Sequence, residues 1–236
     1  MSPTSGVLGE AWEMFKAHWR HLVTIALVVY LAVALVNLVL VALLTWVGAI
    51  LGAIISLVAL FWVQGALVRA VDDIRDGRAD MSLGETFERV RPQLPAIIVG
   101  GLLAGLGIAL GLVLLIVPGL ILLTLWILII PVIVLEGRSA GESFGRSREL
   151  VRGYGWSVFG VIVLTILVVI AFNIVLSILL LPVSDWLQSF ISNVVVGTVV
   201  TPFVVLTWTT LYYRLKAAKE APADVPATPD PPPALS

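Results

Sequence analysis

Three long apolar blocks make up most of this chain, and all fourteen of its Lys and Arg residues fall in the four short segments that flank them. Those segments carry Lys16 and Arg20, then Arg69, Arg75, Arg78, Arg89 and Arg91, then Arg138, Arg146, Arg148 and Arg152, and last Arg214, Lys216 and Lys219. One central Arg costs a spanning helix roughly 3 kcal/mol, while each Leu, Ile or Val gains about 0.3–0.6 kcal/mol on insertion. The pattern predicts a membrane protein whose blocks each cross the bilayer twice, so that every positive charge lies on one face. By the positive-inside rule that face is cytoplasmic, and both termini are expected there.

Leu22 to Val68 runs 47 residues without a charge, against the ~20 that one helical span requires. A turn at Thr45-Trp46-Val47-Gly48 gives spans near 22–45 and 48–68. Val117-Pro118-Gly119 divides the second block into 95–117 and 120–135, because Pro lacks a donor and Gly accepts a positive φ. A turn around Pro182 that also carries Asp185 divides the third block into 157–181 and 191–213. Continuous apolar runs without polar alternation favour helices over a barrel. The fold predicted is an all-α integral membrane protein of six transmembrane helices, arranged as three hairpins. This domain covers 1–216, and the Pro/Ala-rich stretch 217–236 is expected to be a disordered cytoplasmic tail. No cleavable leader is evident, so the first span is expected to act as an uncleaved signal anchor.

A unit recurs ahead of each block: Leu8-Gly9-Glu10-Ala11-Trp12, Leu83-Gly84-Glu85-Thr86-Phe87 and Ala140-Gly141-Glu142-Ser143-Phe144. Each has Gly-Glu, a small residue and an aromatic. Helical spacing puts Leu8, Trp12, Phe15 and Trp19 on one face, then Leu83, Phe87, Val90 and Leu94, and more weakly Ala140, Phe144, Ser147, Val151 and Tyr154. These read as amphipathic interfacial helices over about 7–20, 82–92 and 139–153, each on the cytoplasmic side of a hairpin. Their role is to anchor the bundle or to bind a partner or anionic lipid.

Several chemistries are excluded. With 60% hydrophobic and 12% charged residues and a net charge of −1, the chain is no soluble domain and has no general attraction for nucleic acid. It has no Cys, and its only His residues are His18 and His21, so no metal site or cofactor is expected. No span holds Asp, Glu, Lys, Arg or His, which counts against a proton-coupled transporter. Asn37, Gln64, Asn173 and Asn193 either bond across to neighbouring helices or line a pathway. Gly101 and Gly105, Gly107 and Gly111, and Gly48 and Gly52 stand at GxxxG spacing, which suits close helix packing within the bundle or across a dimer. Pro131 and Pro202 are expected to kink their spans and release the carbonyls of Ile127 and Thr198. The acidic loop 72–78 lacks the spacing of a calcium site. Arg138, Arg146, Arg148 and Arg152 form a cluster that could hold lipid phosphates, contact a partner, or simply fix topology.

Leu115-Ile116-Val117-Pro118-Gly119, the element Pro131-Val132-Ile133-Val134-Leu135-Glu136-Gly137, and Ser143, Arg146, Ser147 and Trp156 together resemble the membrane domain of the glycerophosphoryl diester phosphodiesterase family and related bacterial multispan inner-membrane proteins. The resemblance implies a six-helix module in a bacterial inner membrane, joined in some relatives to a soluble phosphodiesterase domain. That domain's His and acidic metal-binding residues have no counterpart here, so no enzymatic activity is carried over. The function expected is a non-catalytic membrane scaffold or accessory module contacting lipid headgroups, partner membrane proteins or a second copy. A permease or lipid transporter without proton coupling is the alternative. A lipid-active enzyme would have only Glu136, Glu142 and Glu149 to work with.

Overall fold

A computed structural model describes residues 3–77 and 81–220, with the backbone alone at Asp185 and Trp186. Along the chain run α1 (Val7–Arg75), α2 (Leu83–Val90), a 3-10 turn (Arg91–Gln93), α3 (Leu94–Leu114), α4 (Ile116–Trp126), α5 (Ile129–Glu136), α6 (Ala140–Val151), α7 (Gly155–Leu179), α8 (Asp185–Val195), a π turn (Val196–Val200) and α9 (Thr201–Glu220). No strand occurs among the described residues. Five helical runs there are long and apolar enough to cross a bilayer: Val7–Arg75, Leu83–Leu114, Ile116–Glu136, Gly155–Leu179 and Leu187–Glu220.

Helix α1 doubles back. Drawn straight, its residues would reach on the order of 100 Å at 1.5 Å per residue, yet Glu10 and Arg75 are ion-paired at 2.9 Å. The reversal is at Thr45, where φ is 49° and ψ −120°. Beyond it the two limbs touch: Asn37 donates to Ser56 at 2.9 Å, and a Cβ built on Gly48 would stand 1.9 Å from the Leu40 carbonyl oxygen. Gly48 therefore does not make the turn. It serves close backbone approach just beyond it, which only a residue without a side chain permits.

The first reversal falls within the predicted Thr45–Gly48 turn, whereas the second division differs from expectation. The chain turns at Leu115, which is extended with φ −156° and ψ 129°, and not at Pro118-Gly119. Pro118 lies in the first turn of α4, where a missing N–H removes no intrahelical bond. Gly119 instead packs against α3: a Cβ on Gly111 would come within 2.9 Å of the Gly119 Cα.

The kink expected at Pro131 is a two-residue interruption of the helix at Ile127 and Leu128, just before the proline. Helix α4 ends at Trp126 and α5 begins at Ile129, and Ser147 donates to the Leu125 carbonyl at 2.7 Å, satisfying an acceptor beside the gap. Pro202 is the second residue of α9, with Thr201 between it and the π turn, whose wider winding accommodates a residue that cannot donate to Thr198. Pro182 lies in the turn between α7 and α8, where the Val183 amide bonds the Leu180 carbonyl. Helix α9 continues to Glu220, so residues 217–220, expected in the disordered tail, are helical. The rest of that tail and Arg78 lie outside the described residues.

Helices α2 and α6 start with capping boxes. Ser82 and Ser139 accept from the Glu85 and Glu142 amides, and each carboxylate accepts from the Ser amide in return, at 2.9 and 3.0 Å. The small residue that follows Gly-Glu is fully buried in all three units, as Ala11, Thr86 and Ser143. The aromatic after it meets another ring edge-on: Trp12 with Phe203 at 6.2 Å, Phe87 with Trp62 at 5.5 Å and Phe144 with Trp126 at 5.0 Å. In the first unit the buried face is Val7, Ala11 and Phe15, while Trp12 and Trp19 stay half exposed. The expected stripe is thus rotated, with both indoles at its edge.

Buried apolar residues gather toward one end of the bundle. One cluster joins Leu22, Ile25, Phe61, Leu67, Val90, Ile97 and Ile133, and a second joins Leu128, Val132, Leu150, Ile162, Leu211 and Leu215. Toward the opposite end the same helices expose Leu43 at 76%, Val113 at 84% and Ile178 at 60%.

Candidate functional site

The charged end carries a polar network that links distant parts of the chain. Glu10 accepts from Arg75 at 2.9 Å and from the Nε of Arg214 at 2.8 Å. Burial raises the Glu10 pKa, but the two guanidiniums more than offset this and hold it below the ordinary carboxylate value. The Arg75 guanidinium lies 4.5 Å over the Tyr213 ring, the Tyr213 hydroxyl donates to Asp72, and Arg69 reaches Asp72 at 3.6 Å.

Tyr212 extends the network to α5 and α6. Its ring is 5.3 Å from that of Tyr213, and its hydroxyl donates to Glu136 at 3.0 Å. Glu136 also pairs with Arg138 at 2.7 Å and Arg146 at 3.0 Å, and Arg146 continues to Glu149 at 3.1 Å and Glu220 at 3.7 Å. Burial again raises the Glu136 pKa, and the hydrogen bonds from Arg138, Arg146 and Tyr212 bring it below the ordinary value. With the Glu136 and Arg146 side chains only 11% and 14% exposed, the pair is the most sheltered in this network and each is the other's least exposed counter-charge.

The four clustered arginines therefore divide. Arg138 and Arg146 are committed to Glu136. Arg148 and Arg152 are exposed, with no ion-pair partner among the described residues. Lys219 lies beside them, donating to the Arg152 carbonyl at 2.8 Å and standing 5.7 Å over the Tyr154 ring. Trp156 is 89% exposed. Sequence reading missed Asp72, Tyr212 and Tyr213 as network members; their one signal is that each stands at the charged boundary of an apolar run.

The amides of the apolar runs are also divided. Asn37 bonds across to Ser56, as interhelical packing requires, but Asn173 and Asn193 each donate to a carbonyl four residues back on their own helix, at 2.8 Å. Among the described residues neither is seen to bridge to another helix. Asn37 and Ser56 line a cleft of about 720 Å³ with Val33, Val41 and Phe190. Asn173, Gln188, Ser192 and Thr201 line a second of about 470 Å³, and Tyr30, Ser189 and Asn193 belong to both. Gln64 lies apart, in an apolar pocket of about 240 Å³ with Phe61, Trp126 and Trp208.

The glycines at GxxxG spacing also have different roles. Added Cβ atoms on Gly52, Gly101 and Gly107 would come within 1.8 Å of the Asn37 Oδ1, 2.1 Å of Phe61 and 2.6 Å of Trp126, whereas one on Gly105 would meet nothing within 4 Å. Gly105 faces open space and packs against no neighbour.

The carboxylates once considered for catalysis have structural partners: Glu136 as above, Glu142 in the Ser139 capping box and Glu149 with Arg146. No group of three or more His, Cys, Asp or Glu that could hold a metal ion occurs among the described residues. Compared with known families, residues 90–218 match the family model described as the membrane domain of glycerophosphoryl diester phosphodiesterase. No curated protein and no solved structure matches the chain.

Proposed function

Since this chain belongs to the family of glycerophosphoryl diester phosphodiesterase membrane domains, we propose that it is a non-catalytic scaffold of a bacterial inner membrane whose charged face binds lipid headgroups. It is a multi-pass membrane module, and six spans as three hairpins follow if α1 counts as two crossings at Thr45. The positive-inside rule then puts the charged end and both termini in the cytoplasm. In this arrangement the three Gly-Glu units form a threefold repeat that closes on itself, because Phe87, Phe144 and Trp12 each pack on a ring from the preceding apolar helix, the last helix serving the first unit.

One observation carries the headgroup role. Arg148 and Arg152 are exposed with no carboxylate partner among the described residues, Lys219 bonds the Arg152 carbonyl, and Trp156, four positions after Arg152, is exposed. Guanidinium groups bind phosphate oxygens in pairs, and an indole suits the headgroup layer. The test is the thermal midpoint of detergent-solubilised protein with added phosphatidylglycerol or phosphatidylcholine. Phosphatidylglycerol is expected to raise the midpoint of the unaltered protein more, and the Arg148→Gln, Arg152→Gln double variant is expected to lose that difference. An equal response in both proteins would overturn the reading. A second reading, a permease or lipid transporter, is favoured by the clefts lined by Asn37 and Asn173.

A further inference from the structure

We propose that the two adjoining clefts bounded by α1, α7 and the α8–α9 run bind a lipid with an uncharged, hydroxyl-bearing headgroup, of the diacylglycerol class. The clefts share Tyr30, Ser189 and Asn193 in their walls, so they adjoin, and they differ in character. One is largely apolar, with Val33, Val41 and Phe190 among its walls. The other presents Asn173, Gln188, Ser192 and Thr201. An acyl chain fits the first and a polar headgroup the second, and each volume lies within the ~300–1,000 Å³ typical of small-molecule sites.

Charge and hydrogen bonding narrow the headgroup. No charged side chain among the described residues lines either cleft, so a phosphate there would lack the cation that its desolvation demands. Asn173 and Asn193 each commit one N–H to a carbonyl of their own helix. An amide carries two N–H donors and an acceptor oxygen, which leaves each a donor and an acceptor for a hydroxyl. The α9 side of the space is held in place locally. Tyr30 bonds Thr201 at 3.2 Å, and its ring lies flush on Gly197 in the π turn, where an added Cβ would stand 2.6 Å from Cδ1. Such turns are common where a helix forms a binding site. Leu38, 55% exposed, lies at the cleft edge, so the space opens sideways toward lipid.

The experiment is photolabelling of the full chain in nanodiscs with a photoactivatable diacylglycerol, compared with phosphatidic acid of the same acyl chains. Diacylglycerol is expected to label peptides of α7, α8 and the outer limbs of α1, and unlabelled diacylglycerol is expected to compete where phosphatidic acid does not. Replacing Asn173 and Asn193 together by Leu removes two hydrogen-bonding groups and is expected to weaken labelling roughly tenfold. Arg148→Gln, Arg152→Gln protein is expected to label normally, which separates this site from the headgroup face. Equal labelling or competition by phosphatidic acid would show bulk lipid filling the clefts, and unchanged labelling in a folded Asn173→Leu, Asn193→Leu protein would likewise overturn the proposal. Competition in the unaltered protein decides the matter even if that variant fails to fold.

Discussion

Glu136 and Tyr212 lie 76 positions apart, and the phenol donates to the carboxylate at 3.0 Å. This contact holds α9 against the junction of α5 and α6, where Arg146 shares the same carboxylate. Glu136→Gln keeps the shape and an acceptor for Tyr212 but leaves a nearly buried guanidinium without its main counter-charge. The loss is expected to be roughly 3 kcal/mol, against about 1 kcal/mol for Tyr212→Phe and under about 0.5 kcal/mol for exposed Arg148→Gln. Unfolding of the purified variants in mixed micelles gives the order directly.

Acid should loosen the same end. Glu10 and Glu136 are both held below the ordinary carboxylate value in the folded protein. A depressed folded pKa stabilises the fold above the unfolded value, near ~4.3, and that contribution is lost as pH falls through the folded value. The thermal midpoint is therefore expected to drop below about pH 4 through these two groups, and the drop should be smaller in Glu10→Gln, Glu136→Gln protein. An identical acid limb in that variant would place the effect elsewhere.

The glycines of α3 offer a contrast within one helix. Gly111→Ala would press a methyl against the Gly119 backbone, 2.9 Å away at its Cα, while Gly105→Ala meets open space. Overpacking of this kind costs about 1–3 kcal/mol, so the first change is expected to lower stability by that amount. The second should be neutral or slightly favourable, since Ala outranks Gly in a helix interior. Equal effects would mean that α3 and α4 are farther apart than these contacts require.

What the sequence makes legible follows from how local the cause is. The confinement of Lys and Arg to four segments reflects the cost of burying charge and so reports apolar runs directly. Pro182 marks a turn because nothing competes with it there. The first reversal falls at Thr45, inside the predicted Thr45–Gly48 turn, but Gly48 and Gly119 mislead as turn residues: both are needed where two backbones touch, and such contact is decided across a turn. Ser82 and Ser139 went unread in the sequence, although each stands three residues before the Glu of a Gly-Glu unit, and the capping box explains why Glu recurs in the second and third units. The partners of Arg146 were not readable, because Tyr212 and Glu220 reach Glu136 and Arg146 only once α9 has docked. Nothing in the pattern distinguishes Asn37, which bridges two limbs, from Asn173, which bonds within its own helix.

The uneven distribution of buried residues has a mechanical consequence. Side chains such as Leu22, Leu67, Ile133 and Leu211 are sealed near the charged end, while Leu43, Val113 and Ile178 lie bare toward the other. A bundle fastened in this way resembles a clamped set of reeds, fixed in one leaflet and compliant in the other. Changes in lateral pressure or bilayer thickness would then be taken up by splaying of the free ends, where the Asn173 cleft lies, and would leave the Glu136 junction undisturbed.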